Sequence, residues 1–331
     1  MLFGSPSAFV YAFAADGKRL WRTEVGGEVL GGPSVGRLLK GAGPAIAAAW
    51  EGGVSVIAPD GRLVWQRPLS VPSRTWAVLA DLDGDGEDEV VVNAAGEIIA
   101  LRGAIGDVFW RFRAPGRQLT VPAVGEFVRG GEPRLVFGDE QGCVYALDER
   151  GRLLWRQDRV YGPREVPEPI EHYAAVAETG LADLDGNGER QVIVAMRSGE
   201  TVALSARGER LWRFASYERK VGISYGGGAY LGFADLDQDG RLDVVLSQQD
   251  SYVYVLGAGG ALKWMFLARF WYHFPPAIGD LEGNGELNIL FSAPEEGGMW
   301  ALRAGVRGAA HRAPWPMARG NLARTNCAPW Q

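Results

Sequence analysis

Six times along the chain a glycine is followed four residues later by a tryptophan: Gly17/Trp21, Gly61/Trp65, Gly106/Trp110, Gly151/Trp155, Gly208/Trp212 and Gly260/Trp264. An alternating apolar run precedes each glycine (FVYAFAA, VSVIAP, IIALRG, VYALDE, TVALSA, VYVLGA), and a second run carries the tryptophan. Two strand-like runs joined through a glycine read as a tight hairpin. Successive tryptophans are 44, 45, 45, 57 and 52 residues apart. That is the period of a four-stranded propeller blade, about 40–50 residues. A unit of that size cannot bury its own apolar faces and must stack on its neighbours. Helical periodicity appears nowhere in the chain.

A second motif marks the other half of each unit. It reads ADLDGDGEDEVVV from Ala80, ADLDGNGERQVIV from Ala182, ADLDQDGRLDVVL from Ala234 and, more weakly, GDLEGNGELNILF from Gly279. From the first aspartate to the next tryptophan the distance is 29 in each of 81→110, 183→212 and 235→264. Strand, acidic turn, strand, hairpin and strand therefore form one rigid unit. From tryptophan to the next acidic turn the distance varies: 16 (65→81), 28 (155→183), 23 (212→235) and 16 (264→280). Insertions thus fall between units.

Counting back 29 residues from Trp65 and Trp155 places Gly36 and Glu126 where the first aspartate would be, so these units keep the strands and lose the acidic turn. ILFSAPEEGGMWALRAG from Ile289 aligns without gaps on MLFGSPSAFVYAFAADG from Met1, and Ala309 stands in the tryptophan position. The first residues are therefore expected mid-blade. The expected fold is all-β, a seven-bladed β-propeller of four-stranded antiparallel blades, with the ring closed by the N- and C-terminal segments. A single domain is expected over residues 1–331, with a partial blade at 1–25, blades near 30–68, 74–114, 118–158, 174–216, 227–268 and 274–311, and a closing tail at 312–331.

The acidic turns have the chemistry of a hard-cation loop. In the first, the side chains of Asp81, Asp83, Asp85 and Glu89 and the carbonyl of Glu87 can converge on one point, and Gly86 permits the reversal. The corresponding groups are Asp183, Asp185, Asn187, Glu189 and Gln191 in the second, and Asp235, Asp237, Asp239, Arg241 and Asp243 in the third. In the fourth they are Asp280, Glu282, Asn284, Glu286 and Asn288. Oxygen donors of this kind suit Ca²⁺, in up to four sites, and more anionic ligands bind it more tightly. The Asp81 and Asp235 turns are therefore expected to be strongest.

The DLDGDG-type turns resemble the FG-GAP/VCBS repeats of integrin α-subunit propellers, and the Gly-x-x-x-Trp hairpins resemble PQQ-like propeller repeats. The resemblance implies calcium at the acidic turns, a non-enzymatic adhesive or scaffolding role, and an extracellular, cell-surface or periplasmic location. No signal peptide is visible: the start lacks a basic segment followed by a continuous apolar one.

Composition narrows the partners. Lys and Arg number 34 against 40 Asp and Glu, a net charge of −6, which argues against nucleic acid. No apolar run approaches the roughly 18 residues of a membrane-spanning helix. Two cysteines, Cys143 and Cys327, make neither a disulfide framework nor a four-cysteine zinc site.

The tryptophans of the hairpins read as packing residues between blades. Aromatics in the variable connections, Trp76, Tyr173, Tyr217, Tyr225, Phe270, Trp271, Tyr272 and His273, read as a ligand face for a protein or glycan. Glu51, Asp139, Glu140, Gln248, Gln249 and Asp250 are expected on that same face. His172, His273 and His311 show no metal-ligand spacing, and no G-x-S-x-G elbow is present, so the expectation is not an enzyme. The alternatives are a carbohydrate-active enzyme of polysaccharide-lyase type using Arg269 and His273, and a self-assembling surface or filament subunit joined through its terminal segments.

Overall fold

The computed structural model describes residues 1–41, 43–71, 75–158, 160, 175–216, 229–248, 250–268, 275–293 and 298–307. These residues form seven antiparallel sheets and, among them, no helix. Among the described residues no helix is long and apolar enough to cross a membrane. Five sheets have four strands in chain order, at 34–68, 78–113, 123–157, 176–215 and 229–267. The first sheet, 2–24, and the seventh, 277–307, have three.

The third sheet shows the plan. Val78–Ala80, Glu89–Ala94, Glu97–Leu101 and Val108–Arg113 pair in that order, each antiparallel to the last. Its two faces bury against different neighbours, because successive side chains of a strand point to opposite sides. Val90, Val92, Ile99 and Leu101 pack on Ala47, Val54 and Val56 of the second sheet. Val91, Ile98 and Ala100 pack on Leu135, Phe137 and Tyr145 of the fourth.

Double-sided burial corrects one sequence reading. The runs before the hairpin glycines read as alternating strands, yet Gly53–Ile57, Val144–Leu147 and Glu200–Leu204 are buried at every position. A strand covered on both faces has no solvent side to alternate toward. The outermost strands, such as Leu63–Pro68 and Leu262–Leu267, mix exposed and half-buried positions.

The Gly-x-x-x-Trp spacing has a tertiary cause. Gly61, Gly106, Gly151, Gly208 and Gly260 have φ between +74° and +90°, the left-handed region where a side chain is strained. A Cβ at these glycines would also lie 2.5–2.9 Å from Trp21, Trp65, Trp110, Trp155 and Trp212 of the preceding sheet, respectively. Each indole N–H then donates to a carbonyl just before that glycine. Trp21 bonds Pro59 at 3.0 Å, Trp65 bonds Gly103 at 2.7 Å, and Trp110, Trp155 and Trp212 bond Glu149, Ala206 and Ala258 at 2.9 Å. The motif is thus half of a lock between neighbouring sheets.

One residue before each tryptophan the pairing slips. In the fourth sheet Ala146 faces Trp155 but Leu147 faces Leu153, so Leu154 is skipped. The residues skipped in the other five tryptophan-bearing sheets are Leu20, Val64, Phe109, Leu211 and Lys263. Such a bulge re-aims the strand and its side chains.

The two units without acidic turns still have their inner strands, Ser34–Gly36 and Ala123–Glu126. In the seventh sheet the alignment places a hairpin at Gly305, but the backbone continues as strand over Gly298–Arg307, with Arg307 paired to Glu286. This is the copy of the repeat that has Ala309 in place of tryptophan. The closing tail at 312–331 lies outside the described residues.

Candidate metal centres and the loop face

The four acidic turns share one backbone scaffold. The first aspartate accepts N–H groups from the middle of its own turn: Asp81 from Gly84 at 2.8 Å and Gly86 at 2.9 Å, Asp183 from Asn187 at 3.0 Å and Gly188 at 2.9 Å. Asp235 accepts Gly240 at 3.1 Å, and Asp280 accepts Gly285 at 2.7 Å. The fifth residue caps the seventh, through Asp85, Asn187, Asp239 and Asn284, at 2.7–2.8 Å. The ninth residue reaches back to the N–H of the second: Glu89 to Leu82 at 2.9 Å, Gln191 to Leu184 at 2.7 Å, Asp243 to Leu236 and Asn288 to Leu281 at 3.1 Å.

The turns also join sheets. The N–H of the eighth residue donates to the preceding unit, Asp88 to the Arg37 carbonyl and Arg190 to the Phe127 carbonyl at 2.7 Å, and Leu242 to the Leu184 carbonyl at 2.9 Å. Asp88 adds a second link by accepting the Arg37 N–H at 2.6 Å. Burial pushes the Asp88 carboxyl above its usual range despite those partners.

The turns differ in what their carboxylates face. In the first, one oxygen each of Asp81, Asp83 and Glu89 lie within 4.8 Å of one another. Glu89 is 2% exposed. Burial, with the neighbouring Asp83, Asp85 and Asp81 charges, pushes its carboxyl up to about 7. Arg102 meets Asp83 at 3.1 Å. Converging hard oxygens that are costly to ionise together fit a divalent cation.

In the second turn the ninth residue is an amide. Because the Gln191 oxygen must face the Leu184 N–H, its Nε2 points inward and donates to Asp185 Oδ1 and the Glu189 carbonyl, both at 3.1 Å. Those are two of the oxygens a cation would take. In the third turn oxygens of Asp235, Asp237 and Asp239 lie within 4.8 Å of one another. Lys263 Nζ sits among the turn's carboxylates, 2.5 Å from Asp237 and 2.6 Å from Asp243. Its hydrogen bond holds the Asp237 carboxyl below the usual range, whereas burial raises that of Asp243. In the fourth, Asn288 replaces the carboxylate and Arg303 pairs with Glu282 at 2.5 Å. Backbone donors, led by Gly285, hold Asp280 low.

Most of the expected ligand face lies outside the described residues. Trp76 is half-buried and packs on the core between the third and fourth sheets. Tyr173, Tyr217, Tyr225, Phe270, Trp271, Tyr272 and His273 lie outside the described residues, as do Arg269, Gln249 and the other histidines. Asp139 and Asp250, expected on that face, are buried instead. Asp139 accepts the Gln141 and Cys143 N–H groups at 2.9 Å and the Tyr145 hydroxyl at 2.8 Å, while Asp250 accepts the Tyr252 N–H at 3.1 Å and the Tyr254 hydroxyl. An aspartate in a tight turn with a tyrosine on the following strand was the readable signal. Gln248 is buried as well. Glu140 stays at the surface and anchors the incoming connection by accepting the Arg117 N–H at 3.0 Å and the Gln118 N–H at 2.9 Å.

Known proteins share this architecture. The V. cholerae biofilm matrix protein Bap1 superposes with a TM-score of 0.64 at 12% identity, over 97% of this chain and 78% of that one. Saccharomyces cerevisiae Sqt1 gives 0.63 at 14% identity, over 90% and 79%. In sequence, the outer membrane protein assembly factor BamB of Burkholderia pseudomallei (strain K96243) is 27% identical over 156 residues, 47% of this chain and 38% of that relative. The chain therefore matches less than half the length of this relative. The family model PQQ_2, described as outer membrane protein assembly factor BamB, matches residues 6–212, and the chain belongs to that family.

Proposed function

We propose that this chain is a non-enzymatic protein-binding scaffold of the cell envelope, a seven-bladed ring closed by its terminal segments and stapled by calcium at the FG-GAP-like Asp81 turn. The observation that carries the reading is membership of a family named for outer membrane protein assembly. The geometry supports it, because the indole locks and the acidic turns both work between neighbouring sheets. Calcium would be held by Asp81, Asp83, Asp85 and Glu89 with the Glu87 carbonyl, and would supply charge neutralisation. A rigid ring leaves the turns between second and third strands, with the inter-sheet connections, as the face for a protein partner.

The test places a photo-crosslinking side chain at exposed Gln141 on that face, or at exposed Asp60 on the opposite end of the sheets. The partner is a purified outer membrane protein diluted from denaturant. Crosslinks from position 141 and few from position 60 are expected. None from either position overturns the reading.

A further inference from the structure

The third acidic turn offers four aspartate side chains at the candidate ligand positions, as many carboxylates as the first turn has at those positions, yet it already encloses a cation of its own. Lys263 Nζ lies 2.5 Å from Asp237 Oδ2, 2.6 Å from Asp243 Oδ1 and 3.7 Å from Asp239 Oδ2. Asp243 is 1% exposed, so the ammonium reaches the inner end of the turn and not only its rim. Arg102, by contrast, meets the first turn at Asp83 and also lies over the Phe109 ring, 4.6 Å from its centroid.

Position 263 is the residue skipped by the strand register just before the tryptophan. The other five tryptophan-bearing sheets have Leu20, Val64, Phe109, Leu154 and Leu211 there, all apolar. The hairpin and the acidic turn lie at the same end of the sheet, so a long side chain at this bulge is delivered to the turn beside it. We propose that Lys263 is a built-in cation: it closes the Asp235 turn from within, so that of the two turns with a carboxylate at all four side-chain ligand positions only the Asp81 turn takes a free divalent ion. The last clause rests on the calcium reading above; the occupation of the Asp235 turn by Lys263 does not.

The full chain is titrated with Ca²⁺ by calorimetry and with Tb³⁺ by sensitised luminescence. Wild type is expected to lose its ion on Asp81→Asn and to be unaffected by Asp235→Asn. Lys263→Met is expected to gain one further ion, lost again when Asp235→Asn is added, with affinity at least ~10-fold above any residual binding in Asp81→Asn. Should Lys263→Met fold poorly without calcium, Lys263→Gln serves as the second variant, and recovery of its folding on adding calcium counts as the gain. An unchanged number of ions in the Lys263 variants, or a wild-type ion lost with Asp235→Asn, overturns the proposal. Wild-type binding that ignores Asp81→Asn sinks the calcium reading instead, while a gain in Lys263→Met still stands for the proposal.

Discussion

The Trp110 indole lies so close to Gly151 of the next sheet that a Cβ there would stand 2.6 Å from its ring. Gly151 also has a φ of +75°. Gly151→Ala should therefore cost about 2–4 kcal/mol, combining backbone strain with overpacking. Gly17, at φ +83°, has no neighbour within 4 Å of its Cβ position. Gly17→Ala should cost only about 1 kcal/mol. Urea denaturation of both variants is the check, and equal losses would show that the indole contact is not what holds the glycine.

The bond from Trp65 to the Gly103 carbonyl, at 2.7 Å, bridges two sheets. Trp65→Phe keeps an aromatic ring and removes the donor. A stability loss of about 1–2 kcal/mol is expected, since a net hydrogen bond and some packing disappear together. A denaturation midpoint equal to wild type would mean that the bond contributes nothing.

Glu89 gives the calcium reading a pH signature. Its carboxyl is raised from 4.5 to about 7, so between those values the ion-free folded chain holds a proton that the unfolded chain has released. That contribution to stability is complete below about 4.5 and fades as pH rises through about 7. A bound cation needs the ionised form, so calcium affinity should climb with pH across this window. Calorimetry in buffers of different ionisation enthalpy should detect up to about one proton released per ion near pH 6, falling toward none above pH 8. Glu89→Gln should abolish the release, and release that persists in that variant would assign the proton elsewhere.

Gln191 is the mirror case. Gln191→Glu exchanges an inward N–H donor for a carboxylate beside Asp185, so without calcium it should destabilise by about 1–3 kcal/mol. Millimolar calcium should recover the loss as a rise in melting temperature larger than that of wild type. A variant that is destabilised and indifferent to calcium would show that the amide does not stand where a cation can bind.

Repetition made much of the fold legible. Gly106, Gly151 and Gly208 were legible as hairpin turns because each lies in a tight left-handed turn between two strands of its own unit, while the tryptophan four residues on serves the next sheet. The nine-residue acidic turns were readable for the same reason, as local runs of turn formers and oxygen donors. Less visible was which oxygen faces what. Gln191 and Glu89 occupy one position of the motif and differ by a single atom, and only the demand of the second residue's N–H decides which end turns inward. Asp139 looked like a surface group because turns are polar, and Tyr145 drew it into the core.

What the amino-acid order alone determined is the repeating unit, its strands and the hairpins of the six Gly-x-x-x-Trp copies, since each depends on residues close together in the chain. Only tertiary structure decided the contacts between units: which glycine receives which tryptophan, and that Lys263, 28 residues beyond Asp235, ends among that turn's carboxylates. Such contacts arise when separate segments are packed side by side, and the energy of an ion pair depends on distance in space and on burial, neither of which is written in sequence spacing.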